Sequence, residues 1–365
     1  MAGRHASGRV MDVPRSALPA GVLSLHVLPA EHHDRDWDAI IVPREVKERL
    51  LAQALLVLQH GRKLSMLSGL PHGLIVLAGP PGTGKTTMAR GLAQVASLAL
   101  ARQGATALVE INPHAFPSDM LGESQRNVTR LLTETIPEIA NRRPFVIVLI
   151  DEVESFAVRR SSASFEANPV DVHRATDAVL LGIDEIAKNL PSVLFVTTTN
   201  FIEAVDEAFL SRADLVMKFA LPDRETIGRI LEHALGELAV QWPALLPLTK
   251  DLARLDELAQ LCEGWDGRRI RKLALAALAQ RLEVARDPST LSWDDLLAAA
   301  RKKGGVEWAG GRALTSHEMF PDVPKELMHD HDHGHGLHDH AHGHDHAHGH
   351  EHGHRHTHTH QKDEV

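Results

Sequence analysis

Residues 79–86 read GPPGTGKT and constrain this chain more than any other stretch. The run 73–78 before them is apolar and typical of a buried strand, and the run 87–94 after them is typical of a helix. The stretch fits the pattern G-x-x-x-x-G-K-[ST], in which glycines let backbone N–H groups close around phosphates at a helix N-terminus. An ordinary glycine-rich turn is the alternative, but all eight positions and both flanks agree with the pattern. The sequence therefore predicts a phosphate-binding loop.

Side-chain roles follow from the same pattern. Lys85 is predicted to reach the outer phosphates of a nucleotide, and the Thr86 hydroxyl can ligate magnesium. ATP and Mg²⁺ are therefore the expected cofactors. The candidate cofactor-binding residues are Gly79, Pro80, Pro81, Gly82, Thr83, Gly84, Lys85, Thr86, Thr87 and Asp151.

Two carboxylates follow a second apolar run, 145–150, which is typical of a central parallel strand covered on both faces. Asp151 is the candidate to hold magnesium together with Thr86, and Glu152 is the candidate to polarise the water that attacks the outer phosphate. The alternative is that the pair only caps the next helix, where acidic residues are also favoured.

Further polar groups lie downstream. Another apolar run, 193–198, is predicted to be the fourth strand, and Asn200 follows it as a candidate to position the attacking water. Arg212 follows shortly after it, and on its own it could be a solvated surface charge. Arg268 lies in an arginine cluster that opens a helix, and guanidinium groups suit phosphate oxygens.

The order of the predicted elements indicates an α/β fold. Strands are predicted at 74–78, 107–111, 145–150 and 193–198, with helical patterns between them and a helix over 45–60 before the first. This alternation is typical of a parallel sheet flanked by helices. Beyond Pro222 the pattern is helical, at 224–240, 252–262, 266–285 and 292–302, which predicts a small helical lid domain.

The predicted divisions of the chain are a poorly ordered extension at 1–35, a large α/β domain at 36–222, the lid at 223–303, a linker at 304–328 and a histidine-rich tail at 329–365. A length of 365 residues with 43% hydrophobic residues is enough for two cores plus these extensions.

Composition and charge argue against several classes of protein. The net charge is −9, of which the tail carries −5, so nothing indicates a strongly basic surface and no direct nucleic-acid partner is expected, although a local basic pore could lie within a balanced total. The single Cys262 excludes an intramolecular disulfide, fits a buried, inert thiol and agrees with a reducing cytoplasm. No apolar stretch approaches the roughly 18 residues that span a bilayer, so no membrane association is expected.

The tail is of low complexity: sixteen of the 26 histidines lie between residues 329 and 360. Such a segment has little apolar area to bury and should stay disordered. Its imidazoles suit zinc, nickel, copper or cobalt, so loose Ni²⁺ or Zn²⁺ binding is expected. Whether this binding is the biological role, or the tail is a spacer of biased composition, stays open.

Together these features resemble the AAA+ ATPases, which work as rings with a nucleotide site at each subunit boundary. The match is closest to the pachytene-checkpoint family, remodellers of HORMA-domain proteins, and to bacterial relatives found with cyclic-nucleotide antiviral defence systems. The resemblance covers residues 36 to 303 and is carried by the stretches 147–155, 206–214 and 267–273.

That resemblance implies a homo-hexameric ring that partially unfolds a HORMA-domain protein. It implies that Glu152 is the catalytic base, Asn200 a sensor, Arg212 the finger that reaches a neighbour's nucleotide and Arg268 the sensor of the lid. Met120 and Leu121 match the first pore loop, although an aromatic residue is usual where Met120 stands, and the alternative is that both pack in a core.

One further departure from the family and two rival functions accompany the resemblance. Eukaryotic members carry an N-terminal recognition domain, and the residues before Asp36 are too few to form one. A P-loop metal chaperone that uses the tail is one rival, although the guanine-reading motif N-K-x-D is absent after the fourth strand. A clamp or helicase loader is the other, and the lack of a basic appended domain disfavours it.

Overall fold

The computed structural model describes residues 18–66, 71–113, 123–155, 157 and 169–302. Its centre is a six-stranded sheet with the order β1-β3-β4-β5-β2-β6. The strands are β1 (Val22–Leu28), β2 (Leu74–Ala78), β3 (Thr106–Ile111), β4 (Phe145–Ile150), β5 (Val193–Thr199) and β6 (Leu215–Lys218). β1 pairs antiparallel with β3, and the other neighbours are parallel. The α/β fold class is confirmed.

Helices cover both faces of the sheet and continue beyond it. Those before and between the strands are α1 (Asp36–Ala39), α2 (Arg44–Leu64), α3 (Lys85–Leu100), α4 (Glu123–Arg130), α5 (Ile136–Arg142), α6 (Pro169–Asn189) and α7 (Glu207–Leu210). Those after β6 are α8 (Arg224–Gln241), α9 (Leu252–Leu261), α10 (Gly267–Leu278), α11 (Leu282–Arg286) and α12 (Trp293–Arg301).

The inner strands read as continuous apolar runs because each face of the sheet packs into its own core. Along β2, Leu74 and Val76 belong to one hydrophobic cluster, whereas Ile75 and Leu77 belong to the cluster on the other face. Side chains alternate between the faces of a strand, so a strand covered on both sides has no polar face. The salt bridge of Arg90 on α3 with Glu110 on β3 (2.9 Å) also joins the helix after the loop to the sheet.

Residues 224–302 bury a third hydrophobic cluster, which runs from Ile227 on α8 to Ala300 on α12. Within it, burial raises the pKa of the Cys262 thiol to about 11, which agrees with the expected inert cysteine. The division near Pro222 stays a prediction that this separate cluster supports. Among the described residues, no helix is long and apolar enough to cross a membrane.

Three local expectations differ from the structure. Residues 22–28 lie in the stretch expected to be a poorly ordered extension, yet they form the edge strand β1, whose Leu28 is 1% exposed. β6 was not expected, and its four residues are too few for a pattern. The helix predicted over 266–285 is two helices, because α10 ends at Leu278 and α11 begins at Leu282.

One buried carboxylate organises the last helix. Asp295 is 4% exposed, accepts two hydrogen bonds from the Arg281 guanidinium (2.7 and 3.0 Å) and forms a capping box with Ser292 at the start of α12. The bonds from Arg281 hold the pKa of the Asp295 carboxyl well below its usual range, against the effect of burial.

We therefore expect Asp295→Asn to lower the free energy of unfolding by about 1–2 kcal/mol, since a cap and charge-assisted bonds are weakened. A lowered folded-state pKa contributes stability above the unfolded pKa of about 4, and that contribution is lost as the pH falls. The difference in the free energy of unfolding between the parent protein and the variant should therefore shrink in acid. Urea unfolding of both proteins at several pH values measures this difference. Asp294→Asn, an exposed neighbour on the same turn, is the control, and an equal loss there would contradict the assignment.

Candidate functional site

The loop between β2 and α3 has a backbone that requires glycine. Gly79, Gly82 and Gly84 have positive φ angles of 149, 79 and 91°. A Cβ atom on Gly79 would lie 2.1 Å from the carbonyl oxygen of Phe219, and one on Gly82 would lie 2.0 Å from a carboxylate oxygen of Asp266. Side chains at these two positions would therefore displace β6 or the start of α10.

Lys85 points back into the loop from the first turn of α3. Its ammonium group donates to the carbonyl oxygens of Gly79 (2.7 Å) and Pro80 (2.9 Å) and to Oδ1 of Asn200 (2.9 Å). Burial lowers the pKa of Lys85, and the carboxylates of Asp151, Glu154 and Glu152 oppose that shift. The lysine, predicted from the motif, and the asparagine, predicted from the end of β5, are thus in contact.

Asp151 and the hydroxyls beside it form the second part of the site. Oδ1 of Asp151 accepts from the Thr86 hydroxyl (2.8 Å) and from the Thr198 hydroxyl. The loop and the ends of β4 and β5 therefore meet at one point. A hydroxyl beside a carboxylate is a donor set that suits Mg²⁺, which prefers hard oxygen ligands and keeps several waters.

Glu152 has an unusual backbone. Its φ angle is +55°, and it is the only non-glycine residue with a positive φ among the described residues. Its N–H donates to the Thr198 hydroxyl (3.1 Å), and its Oε1 accepts from Nδ2 of Asn200 (3.1 Å). Left-handed backbone is costly for a residue with a side chain, and such strain concentrates at functional sites.

Asn200 therefore connects the two halves of the site. Its side-chain oxygen accepts from Lys85, its side-chain nitrogen donates to Glu152, and its backbone N–H donates to Oε1 of Glu154 (3.0 Å). An amide with both ends occupied can have only one orientation. The side chain that would position water is thus fixed between the lysine and the candidate base.

Arg212 lies outside this network. Its guanidinium donates to both carboxylate oxygens of Asp184 on α6 (2.7 and 2.8 Å) and to the carbonyl oxygen of Ala208 (2.8 Å). The side chain of Arg212 is 24% exposed and that of Asp184 is 38% exposed. The structure thus holds the predicted finger in a salt bridge of its own chain.

Arg268 lies close to the loop. Its backbone N–H donates to the carbonyl oxygen of Gly82 (3.0 Å), and its positive charge adds to the effect of burial in lowering the pKa of Lys85. The same residue lines a cavity of about 760 Å³ between the sheet domain and the helices after β6. Apolar residues 40–42, Thr83, Thr87 and Ile230 also line it. The size and apolar lining suit a purine base and ribose.

The remaining predicted residues are placed as follows. Thr83 donates to the carbonyl oxygen of Pro80 (2.9 Å), and Pro81 lies exposed on the loop. Met120 and Leu121, the candidate pore residues, lie outside the described residues, as does the histidine-rich tail.

Several site residues were not predicted. Thr198 and Glu154 complete the carboxylate network, and the threonine run that ends β5 was the available signal for Thr198. Ile40, Ile41 and Val42 form a wall of the cavity, far before the loop in the sequence, and a short apolar run there has no distinctive pattern. Arg271 anchors this segment by donating to the carbonyl oxygen of Ala39 (2.5 Å).

The site combines a buried lysine in a glycine loop, two carboxylates directly after β4 and a cavity for a base, and this combination defines a P-loop nucleotide hydrolase. The comparisons with known proteins agree. Residues 75–221 match the family described as ATPase family associated with various cellular activities (AAA). "CD-NTase-associated protein 6" of Pseudomonas aeruginosa is 41% identical over 297 residues, which cover 81% of this chain and 97% of that protein.

A eukaryotic relative is more distant. The "Pachytene checkpoint protein 2 homolog" of Arabidopsis thaliana is 32% identical and aligns with 76% of this chain and 66% of its own length. Among solved structures, C. elegans PCH-2 matches with a TM-score of 0.61 and 25% identity, over 78% of this chain and 75% of that chain. A chain of the E. coli MS115-1 HORMA:CdnC:Trip13 complex matches with a TM-score of 0.62 at 20% identity, over 78% and 96%.

This chain belongs to the AAA ATPases and, within them, to the family that these pachytene-checkpoint relatives represent. It is therefore an ATPase.

Proposed function

We propose that this ATPase uses ATP hydrolysis to remodel a HORMA-domain protein, as part of a bacterial antiviral defence system. The observation that carries the proposal is the likeness to CD-NTase-associated protein 6 over 97% of that relative, together with an intact hydrolytic network. The composition of the E. coli complex, which holds a HORMA protein, agrees with this partner.

The proposed residue roles follow from the contacts. Lys85 and the loop N–H groups bind the phosphates, Thr86 and Asp151 hold Mg²⁺, and residues 40–42 contact the base. Glu152 takes a proton from the attacking water, and Asn200 holds Glu152 in place through its side-chain amide.

The proposed assembly is a hexameric ring. Arg212 acts on the nucleotide of the adjacent subunit, which requires its exchange from Asp184 to a phosphate when the subunits meet. Arg268 senses the nucleotide within its own chain, because it lies beside Gly82 at the cavity. Met120 and Leu121 grip the extended substrate in the central pore.

A P-loop metal chaperone is the second candidate, and the one feature that favours it is the tail with its sixteen histidines. Loose Ni²⁺ or Zn²⁺ binding there is compatible with either function.

Capture of a partner tests the main proposal. A Glu152→Gln variant with ATP should hold its partner stably, because it binds magnesium-ATP but activates water poorly. Mass spectrometry of the captured complex should recover a HORMA-domain protein, and a purified bacterial HORMA-domain protein serves as the direct probe. Replacing Met120 and Leu121 with Ser should abolish remodelling and spare basal hydrolysis, since these residues supply grip and no catalytic chemistry. Recovery of only metalloenzymes or nucleic acid would contradict the proposal.

A further inference from the structure

Three histidines near the start of the described chain form a cluster outside the nucleotide site. His26 lies on β1, and His32 and His33 lie on the 3-10 helix Glu31–His33. One potential ligand atom from each lies within 4.8 Å of the others, and the ring centroids are 4.0–5.7 Å apart. The proposed ATPase mechanism uses none of the three.

His33 has the hydrogen bonding of a metal ligand. It is 5% exposed, and its Nδ1 lies 2.8 Å from a carboxylate oxygen of Asp36. An ionised carboxylate only accepts, so Nδ1 carries the proton and Nε2 of the neutral ring keeps its lone pair. Nε2 is buried and has no hydrogen-bond partner. An unpaired buried acceptor is costly, and a carboxylate on the other ring nitrogen is the usual support of a metal-bound histidine.

The backbone that carries the three rings is held on both sides. His26 pairs with Leu108 of β3, which fixes its position in the sheet. The Gln94 side chain, from α3, accepts from the backbone N–H of Ala30 (3.0 Å) and donates to Asp34 (2.6 Å). Hydrogen bonds within the chain therefore hold the turn between the first histidine and the other two, so a metal would find its ligands already gathered.

We propose that His26, His32 and His33 bind one Zn²⁺ ion, with Asp36 orienting His33. Imidazole nitrogens suit a divalent transition ion, and the absence of an oxygen ligand in this set of three disfavours Ca²⁺ and Mg²⁺. Zn–N bonds of about 2.0–2.1 Å place tetrahedral ligands roughly 3.4 Å apart. The ligand atoms therefore need to approach one another by up to about 1.4 Å, from the 4.8 Å limit to roughly 3.4 Å. Rotation of the His26 and His32 side chains can supply this approach, because His26 is half-buried and His32 is exposed.

Three protein ligands leave a fourth position for water or another donor. The ion would tie β1 to the segment that leads through α1 to Ile40 and the wall of the nucleotide cavity. We assign the ion a structural role because it joins these two segments, and not because of its coordination, since an open fourth position is also found in catalytic zinc sites. Its ligands are distinct from Thr86 and Asp151, which would hold Mg²⁺.

The test must separate this site from the tail. We would use the full-length chain with the sixteen tail histidines replaced by asparagine, strip it with a chelator and titrate it with Co²⁺. One equivalent with the strong visible absorption of tetrahedral cobalt, displaced by Zn²⁺, is the expected result. His26→Gln, His32→Gln and His33→Gln should each remove it, whereas His60→Gln, on the exposed side of α2, should not. Circular dichroism checks that each variant is folded.

Folded protein that takes up no tetrahedral cobalt would overturn the proposal, and so would uptake that survives all three substitutions together. The orienting contact has its own test: Asp36→Ala should weaken zinc binding by about 10–100-fold. Asp36→Asn should weaken it less, because the amide oxygen still accepts from Nδ1. Zinc should also raise the melting temperature of the parent but not of His32→Gln, a readout independent of ATPase activity. Unchanged affinity in Asp36→Ala would refute the role of that carboxylate.

Discussion

An Arg212→Ala variant should lose about 10³-fold or more of its ATP hydrolysis rate while its affinity for ATP changes little. An arginine supplied to a neighbouring site acts mainly on the charge of the transition state, and removing such a group costs about 10³–10⁵ in rate. Phosphate release and nucleotide titration on the assembled protein measure the two quantities. The hydrogen bonds that Arg212 donates to Asp184 raise the pKa of Arg212, so the side chain stays charged at every pH of interest.

Two matched variants show whether the effect comes from the salt bridge itself. Arg224 donates to both carboxylate oxygens of Asp256 (2.7 and 2.6 Å) in the same bidentate way, so Arg224→Ala controls for the loss of such a pair. Asp184→Ala breaks the pair but keeps the arginine, and we expect it to retain most of the hydrolysis rate. A loss in Asp184→Ala equal to that in Arg212→Ala would indicate that the pair only stabilises its own chain.

Mixing tests whether the site is shared between subunits. Inactive Arg212→Ala and inactive Glu152→Gln chains should regain activity together, because some boundaries in a mixed ring have both groups intact. Absence of recovery in rings confirmed to be mixed would contradict action on a neighbour.

Glu152→Gln should slow hydrolysis by about 10²–10⁴-fold and leave ATP binding nearly intact. The glutamine keeps the size of the side chain and can still accept from Nδ2 of Asn200, but it cannot take a proton from water. Calorimetric titration with ATP and single-turnover hydrolysis measure the two effects. Glu203→Gln, an exposed residue soon after Asn200, is the control. Turnover close to that of the parent would show that another group activates the water.

The nucleotide site was largely predictable because its residues follow local rules. A glycine loop must precede a helix, and polar groups at the carboxyl ends of parallel strands meet at one edge of the sheet. Lys85 and Asn200 are 115 residues apart in the sequence and 2.9 Å apart in space, as those rules require. Thr198 and Glu154 escaped prediction because their roles depend on side-chain directions that no pattern records.

The edge strand β1 and the cavity wall at residues 40–42 were less predictable from the sequence. β1 is largely half-buried, and as an edge strand it pairs with β3 alone, so its sequence lacks the apolar run of β4. The wall formed by residues 40–42 depends on packing between Ile40 and Gly84 and between Ile41 and the cluster of the last helices. Such contacts arise only when distant segments fold together.

The sequence by itself determined the phosphate loop, the carboxylates after β4, the parallel sheet and the helical segment after β6, because glycine geometry and apolar periodicity act over a few residues. Only the tertiary structure decided that Asn200 joins Lys85 to Glu152, that Arg212 pairs with Asp184, and that His26 meets His32 and His33. These pairings depend on how strands and helices pack in three dimensions, and the spacing of residues along the chain does not predict that packing.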